Sequence, residues 1–206
     1  MAAAPIPRAS PPRRPPCCCM LTRLALWRGA GTQWANLVGP GAGIDTAWDY
    51  GTQSKIPPGI AASKLSREQV FIATKIPCDH WDGGVEPMNA SMAEHYISTD
   101  LQQLNTSYVD LMLLHHICAT PEETAEVWKT LEAMKKKGAA KAIGVSNFEV
   151  PDLIALMEVA TEPIDANQCH FGVGEIDNAT IAYSKEHGIA LESYGTLHGG
   201  VLRIST

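Results

Sequence analysis

From Gly43 onward, short apolar runs alternate with stretches whose apolar residues recur every three or four positions. The runs are "GIDTA" (43–47), "VFIATKIP" (70–77), "YVDLMLLHH" (108–116), "AIGVSNF" (142–148), "PIDANQCHF" (163–171) and "IALESYG" (189–195). They are too short for helices, and Gly or Pro bounds several of them, so they predict strands. Their lack of strict apolar–polar alternation predicts strands buried on both faces.

Helical periodicity fills the intervals. In "SMAEHYISTDLQQL", Met92, Tyr96, Ile97, Leu101 and Leu104 share one face, and the pattern breaks at Asn105. The next segment, "TPEETAEVWKTLEAMKKKG", opens with Thr120 as N-cap, Pro121 at the first helical position and acids in the first turn. It closes on three lysines and Gly138, where the helix dipole and a left-handed cap favour them. "VPDLIALMEVA" and "NATIAYSKEHG" predict two further helices, the second stopped by Gly188.

Strand, helix and strand in strict alternation with short connections require a parallel sheet with right-handed crossovers. A doubly wound nucleotide fold would carry a glycine-rich G-x-G-x-x-G turn after its first strand, and this chain has none. Polar residues instead gather at the carboxyl ends of many strands: Asp45 and Tyr50, Lys75, His115, Ser146 and Asn147, Gln168, and Tyr194. A barrel draws its catalytic residues from several strand ends in this way. The expected class is therefore α/β, a (β/α)8 TIM barrel.

Four of these residues form a chemically legible set. A tyrosine hydroxyl, with an ordinary pKa of about 10, is a weak acid, and a neighbouring ammonium favours its phenolate. Lys75 would supply the ammonium to Tyr50, and the Asp45 carboxylate would keep that ammonium charged. An imidazole N–H from His115 could then hold a carbonyl oxygen beside the tyrosine hydroxyl. Such a set can polarise and protonate a carbonyl but supplies no hydride, so a nicotinamide is required. Ser146, Asn147 and Gln168 are candidate partners for its carboxamide, and Tyr194 is a candidate stacking face.

In order, "GIDTAWDYG", "VFIATKIP", "YVDLMLLHH", "AIGVSNF", "IDANQCHF" and "ALESYGTL" resemble the successive motifs of the aldo-keto reductase superfamily, over about Gly43 to Leu197. The resemblance implies a (β/α)8 barrel that reduces aldehydes and ketones with NADPH, NADH not being excluded. By position it implies a catalytic tetrad of Asp45, Tyr50, Lys75 and His115: Tyr50 as proton donor, Lys75 lowering its pKa, Asp45 supporting Lys75, and His115 orienting the substrate carbonyl. It further implies cofactor contacts at Thr32, Asp45, Ser146, Asn147, Gln168 and Tyr194, and substrate contacts at His115, Trp48 and Trp81. His116 stands where many members have tryptophan and is expected to turn away from the site.

Two departures from the family pattern set the expected boundaries. Only "ANLVGPGAG" separates the G-x-G-T-like "GAGTQW" (29–34) from "IDTA", too few residues for the first crossover helix. The chain also ends soon after the seventh expected strand, so the barrel is expected to be incomplete, lacking its first helix and its eighth strand. A catalytically impaired cofactor-binding or regulatory module on the same fold is the alternative reading.

Composition narrows the partners. A net charge of −6, with 18% charged residues and no block of like charge, gives no surface for nucleic acid. No apolar run reaches the roughly 20 residues of a membrane-spanning helix. A small-molecule carbonyl substrate, a monomer and a cytoplasmic location are expected. Residues 1–28, rich in Pro, Ala and Arg and without an acid, are expected to be a disordered leader, with organellar targeting as an option; residues 29–206 form the barrel domain.

The six cysteines (Cys17, Cys18, Cys19, Cys78, Cys118 and Cys169) include no C-x-x-C pair and are expected to be free thiols in a reducing compartment. No metal site is expected. Adjacent strand residues point to opposite faces, so His115 and His116 would not reach a common ion, which disfavours a metal-dependent hydrolase.

Overall fold

The computed structural model describes residues 39–78, 87–172 and 176–196. Residues 1–28, expected to be a leader, the "GAGTQW" segment with Thr32, residues 35–38 after it, and Trp81 lie outside the described residues.

Six parallel strands form one sheet: β1 (Ala42–Asp45), β2 (Val70–Ile76), β3 (Val109–Leu114), β4 (Ala140–Ser146), β5 (Ala166–His170) and β6 (Ala190–Tyr194). Their order in the sheet is their order in the chain. Five α-helices lie between them: α1 (Ile56–Ser63), α2 (Ala90–Gln103), α3 (Pro121–Lys136), α4 (Val150–Val159) and α5 (Asn178–Glu186). Consecutive strand order with right-handed crossovers places every helix on the same face of the sheet.

The other face curls inward. In a flat sheet β1 and β5 would stand about 19 Å apart, four steps of about 4.8 Å. Yet Gln168 Nε2 of β5 donates to Asp45 Oδ1 of β1 at 2.9 Å. That closure makes the sheet six consecutive strands of a (β/α)8 barrel, the expected class.

Two apolar groups divide the strands by parity. Phe71, Ala73, Leu111, Leu113, Ala142 and Ala166 form the inner cluster. Ile72, Ile76, Met112, Leu114, Ile143 and Val145 belong to the larger cluster, which also takes in helix residues such as Ile97, Val127, Trp128, Leu131 and Leu153. All six residues of β3 are buried, so the absence of alternation reflects burial on both sides. Gly144 has no room for a side chain: a Cβ there would collide with the Ala166 carbonyl oxygen and the Leu113 side chain.

Local chemistry sets the helix ends. Thr120 caps α3 by accepting from Glu123 N–H, and Gly138 takes the left-handed conformation just past the helix, φ 79°. Asn89 and Asp177 cap α2 and α5 through their side chains. Helix α1 lies where the sequence pattern shows no element. Its short "IPPGIAAS" segment has too little periodicity to read, but its prolines fall in the first turn, where the missing N–H would have no partner in any case.

One expectation is overturned. Cys78, after β2, and Cys118, after β3, are joined in a disulfide, so they are not free thiols. Lone cysteines forty residues apart carry no local signal of pairing; adjacent parallel strands bring their ends together. Cys169 is free and buried, and burial pushes its thiol up to about 11, which makes it a poor nucleophile. Among the described residues no helix is long and apolar enough to cross a membrane.

Candidate active site

The inner face of the sheet ends, at its carboxyl edge, in polar side chains. Inner Ala73 is followed two residues later by Lys75, inner Ala166 by Gln168, and Gly144 by Ser146, so period-two geometry directs them toward the barrel interior. Asp45 ends β1, and the short 3-10 turn Trp48–Tyr50 follows it.

Lys75 is fully buried. Its Nζ donates to both oxygens of Asp45, at 2.9 and 2.8 Å, to the Thr46 carbonyl at 2.9 Å, and to the Tyr50 hydroxyl at 3.4 Å. The ammonium therefore links the Asp45 carboxylate to the Tyr50 hydroxyl. Tyr50 also meets the His115 ring edge-on, with 5.7 Å between centroids. The four residues expected to act together do meet.

The electrostatics differ from the expectation in one respect. Burial is the largest influence on Tyr50 and pushes its pKa up; Lys75 pulls it down, Asp45 and Asp49 push it up again, and the net shift is upward from 10.0. Lys75 acts in the expected direction but is outweighed. Tyr50 thus holds its proton throughout the neutral range.

Gln168 contributes an unforeseen link. Its Nε2 donates to Asp45 Oδ1 and, at 3.0 Å, to Glu192 Oε2 of β6. Both amide hydrogens are committed to carboxylates, and Oε1 is left as the acceptor for a ligand. Burial raises the pKa of Glu192, with the Gln168 bond opposing. Inward-facing Glu192 was missed in the sequence because a lone acid in "ALESYG" has no motif to mark it.

The expected carboxamide contacts are cross-linked to one another. Ser146 Oγ donates to the Gln168 main-chain carbonyl at 2.8 Å. Asn147, in the left-handed conformation at φ 60°, donates to the His115 carbonyl at 3.1 Å and accepts from the Tyr194 hydroxyl at 2.6 Å. This network ties the ends of β3, β4, β5 and β6 together and holds the half-buried Tyr194 over the site's edge.

The two histidines depart from the expected alternation. β3 stops at Leu114, so His115 and His116 lie beyond the strand and are not forced to opposite faces. Their rings stack, 4.6 Å apart and 22° from parallel, and Asn147 Nδ2 lies 3.3 Å from His116 Nδ1. His116 stays at the site's margin. Among the described residues, no three His, Cys, Asp or Glu side chains are grouped to hold a metal ion. Trp48 packs edge-on against Tyr96 of α2, 4.7 Å between centroids.

A buried lysine bridging a carboxylate and a protonated tyrosine, at the carboxyl ends of consecutive barrel strands, is matched by sequence. Residues 41–205 match the Aldo/keto reductase family. The chain belongs to that family. It is 33% identical to the methylglyoxal reductase DkgB of Escherichia coli over 161 residues, covering 76% of this chain and 57% of that protein. It is also 33% identical to the glyoxal reductase of Bacillus subtilis over 161 residues, covering 77% of this chain and 54% of that protein.

Solved structures agree. An aldo-keto reductase from Brucella melitensis superposes with a TM-score of 0.72 at 27% identity, covering 85% of this chain and 65% of that one. A Bombyx mori aldo-keto reductase in complex with NADP gives 0.71 at 25% identity, covering 85% and 58%. The chain spans just over half the length of the curated relatives it matches.

Proposed function

We propose that the protein reduces the carbonyl of a small aldehyde or ketone with NADPH, and that Tyr50 donates the proton. The observation that carries this reading is Lys75 Nζ, held by both Asp45 oxygens and reaching the Tyr50 hydroxyl at 3.4 Å. A proton donor must hold its proton until the reaction begins, and burial ensures this for Tyr50. As the carbonyl oxygen gains negative charge, Tyr50 releases the proton to it, and the nearby ammonium stabilises the phenolate left behind.

The residues present fit a nicotinamide. Gln168 Oε1 is the end of that amide left to accept from a carboxamide N–H, since Nε2 is committed to Asp45 and Glu192. Ser146 and Asn147 flank it, and the Tyr194 ring offers a stacking face. When bound, NADPH supplies the hydride. His115 borders the place where the carbonyl would sit. The names of the relatives favour small α-dicarbonyls such as methylglyoxal as first substrates to try.

The test is NADPH oxidation by the purified chain with methylglyoxal, glyoxal and simple aldehydes, beside Tyr50→Phe. We expect Tyr50→Phe to lose at least about a hundredfold in kcat/KM with little change in stability. Reduction should persist through neutral pH and fall only as pH rises past the ordinary tyrosine range near about 10, since the raised pKa keeps the donor protonated below it. Turnover unaffected by the substitution would refute the assignment.

A further inference from the structure

The turn that delivers Tyr50 also delivers Asp49, a carboxylate with no part in the proposed reaction. Asp49 Oδ1 lies 3.1 Å from His115 Nδ1. That nitrogen is sealed from solvent and has no aligned hydrogen-bond partner, because the carboxylate oxygen sits off the ring's N–H direction. The distance is that of a hydrogen bond and the alignment is not, and catalytic contacts of this kind tighten when ligand binds. Nε2 is not sealed in the same way.

A neutral imidazole carries one proton, and which nitrogen holds it depends on what each nitrogen faces. A bare lone pair on Nδ1 set against a carboxylate oxygen, with no water between, would be repulsive. A proton there turns the contact into an attraction. The Tyr50 ring, edge-on, and the His116 ring, stacked, offer no competing acid at Nδ1.

We propose that Asp49 is a positioning residue that holds the proton of His115 on Nδ1, so that the neutral ring presents an acceptor, Nε2, to the reacting carbonyl's surroundings. A tautomer set in this way changes what His115 can do. The neutral ring cannot donate from Nε2 to a substrate oxygen; it donates there only as imidazolium. In agreement, Asp49 itself, pushed up by burial, is brought below the ordinary carboxylate range chiefly by His115, with the turn's main-chain N–H and the Lys75 ammonium adding to it. This catalytic consequence rests on the proposed carbonyl reduction, whereas the tautomer does not.

The experiment reads the tautomer directly. Two-bond proton–nitrogen correlation spectra of the 15N-labelled chain are recorded above the ordinary histidine range, with His115 assigned from His115→Gln. We expect the neutral wild-type ring to carry its proton on Nδ1. Asp49→Asn, which keeps an acceptor, should retain that pattern, and Asp49→Leu should shift the proton wholly or partly to Nε2. The Asp49 side chain is only partly exposed, 24%; if the Leu variant fails to fold, Asp49→Ala takes its place.

A wild-type ring protonated on Nε2, or an Asp49→Leu or Asp49→Ala spectrum indistinguishable from wild type, would overturn the proposal. The NADPH oxidation assay stands apart from it: an inactive chain with an Nδ1–H ring refutes the reaction and leaves the tautomer assignment intact.

Discussion

The two ends of the strands use the same residue types to opposite effect. At the amino-terminal end, two cations share one carboxylate: Asp110 accepts from Arg67 at 2.8 Å and from Lys141 at 2.8 Å. Its Oδ2 also accepts from the Ile72 main-chain N–H at 3.0 Å. Arg67 and Lys141 lie against the Tyr108 ring, 4.3 and 4.4 Å from its centroid. At the carboxyl end the ratio is reversed. Among the described residues, one ammonium, Lys75, stands among the carboxylates of Asp45, Glu192 and Asp49, and burial pushes Tyr50 to hold its proton.

The difference separates stability from chemistry. Three donors hold the Asp110 carboxylate, which fastens β2, β3 and β4 at their starts. The Lys75 cluster leaves a tyrosine proton, an amide carbonyl and the Nε2 atom of an imidazole for other work. In barrel enzymes the carboxyl end is where reactions occur, and the opposite end is where conservation of structure has its effect.

Substitutions that break one end should leave the other intact. The largest effect is expected from Lys75→Met. It leaves Asp45 buried without its cation, at a cost of about 3–5 kcal/mol measured by denaturant unfolding. Loss of NADPH oxidation should accompany it even where the variant remains folded.

Next comes a pH effect behind the same strand end. Asp100 of α2 is fully buried and bonded to Gln53 and Thr74, and burial pushes its carboxyl up to about 7. The folded state then keeps a proton that the unfolded chain has released, so stability should fall as pH rises from about 4 to about 7, by up to a few kcal/mol. Asp100→Asn should flatten that slope in unfolding curves taken across the window. A slope unchanged in the variant would remove Asp100 as its source.

At the amino-terminal end the effects should be smaller and purely structural. Arg67→Ala removes bonds to Asp110, to Tyr108 and Val70 carbonyls, and to Thr106, and should cost about 1–3 kcal/mol. Lys141→Ala, whose side chain is 57% exposed, should cost less than about 1 kcal/mol.

Much of this was legible in the sequence, for identifiable reasons. The runs at "VFIATKIP" and "YVDLMLLHH" carry strand propensity and clear stops, and Thr120, Pro121 and Gly138 mark both ends of α3. The order and spacing of Asp45, Tyr50, Lys75 and His115 carry the family resemblance and so the site. What was hidden depends on curvature and proximity. The Cys78–Cys118 bridge arises because adjacent strand ends meet, and the Gln168–Asp45 bond arises because the sheet curls from β1 round to β5. Glu192 and Asp49 sit in no motif, and their importance lies in what they face. The net pKa of Tyr50 required knowing how deeply it is buried, which outweighs the lysine beside it.

The most direct test of the division between the two ends is kcat/KM for NADPH-dependent carbonyl reduction, measured side by side for wild type, Lys75→Met and Arg67→Ala. We expect Lys75→Met to fall by at least about a hundredfold and Arg67→Ala to stay within about threefold of wild type despite its lower stability. Equal losses in the two variants, or a larger loss in Arg67→Ala, would contradict the assignment of chemistry to the carboxyl end.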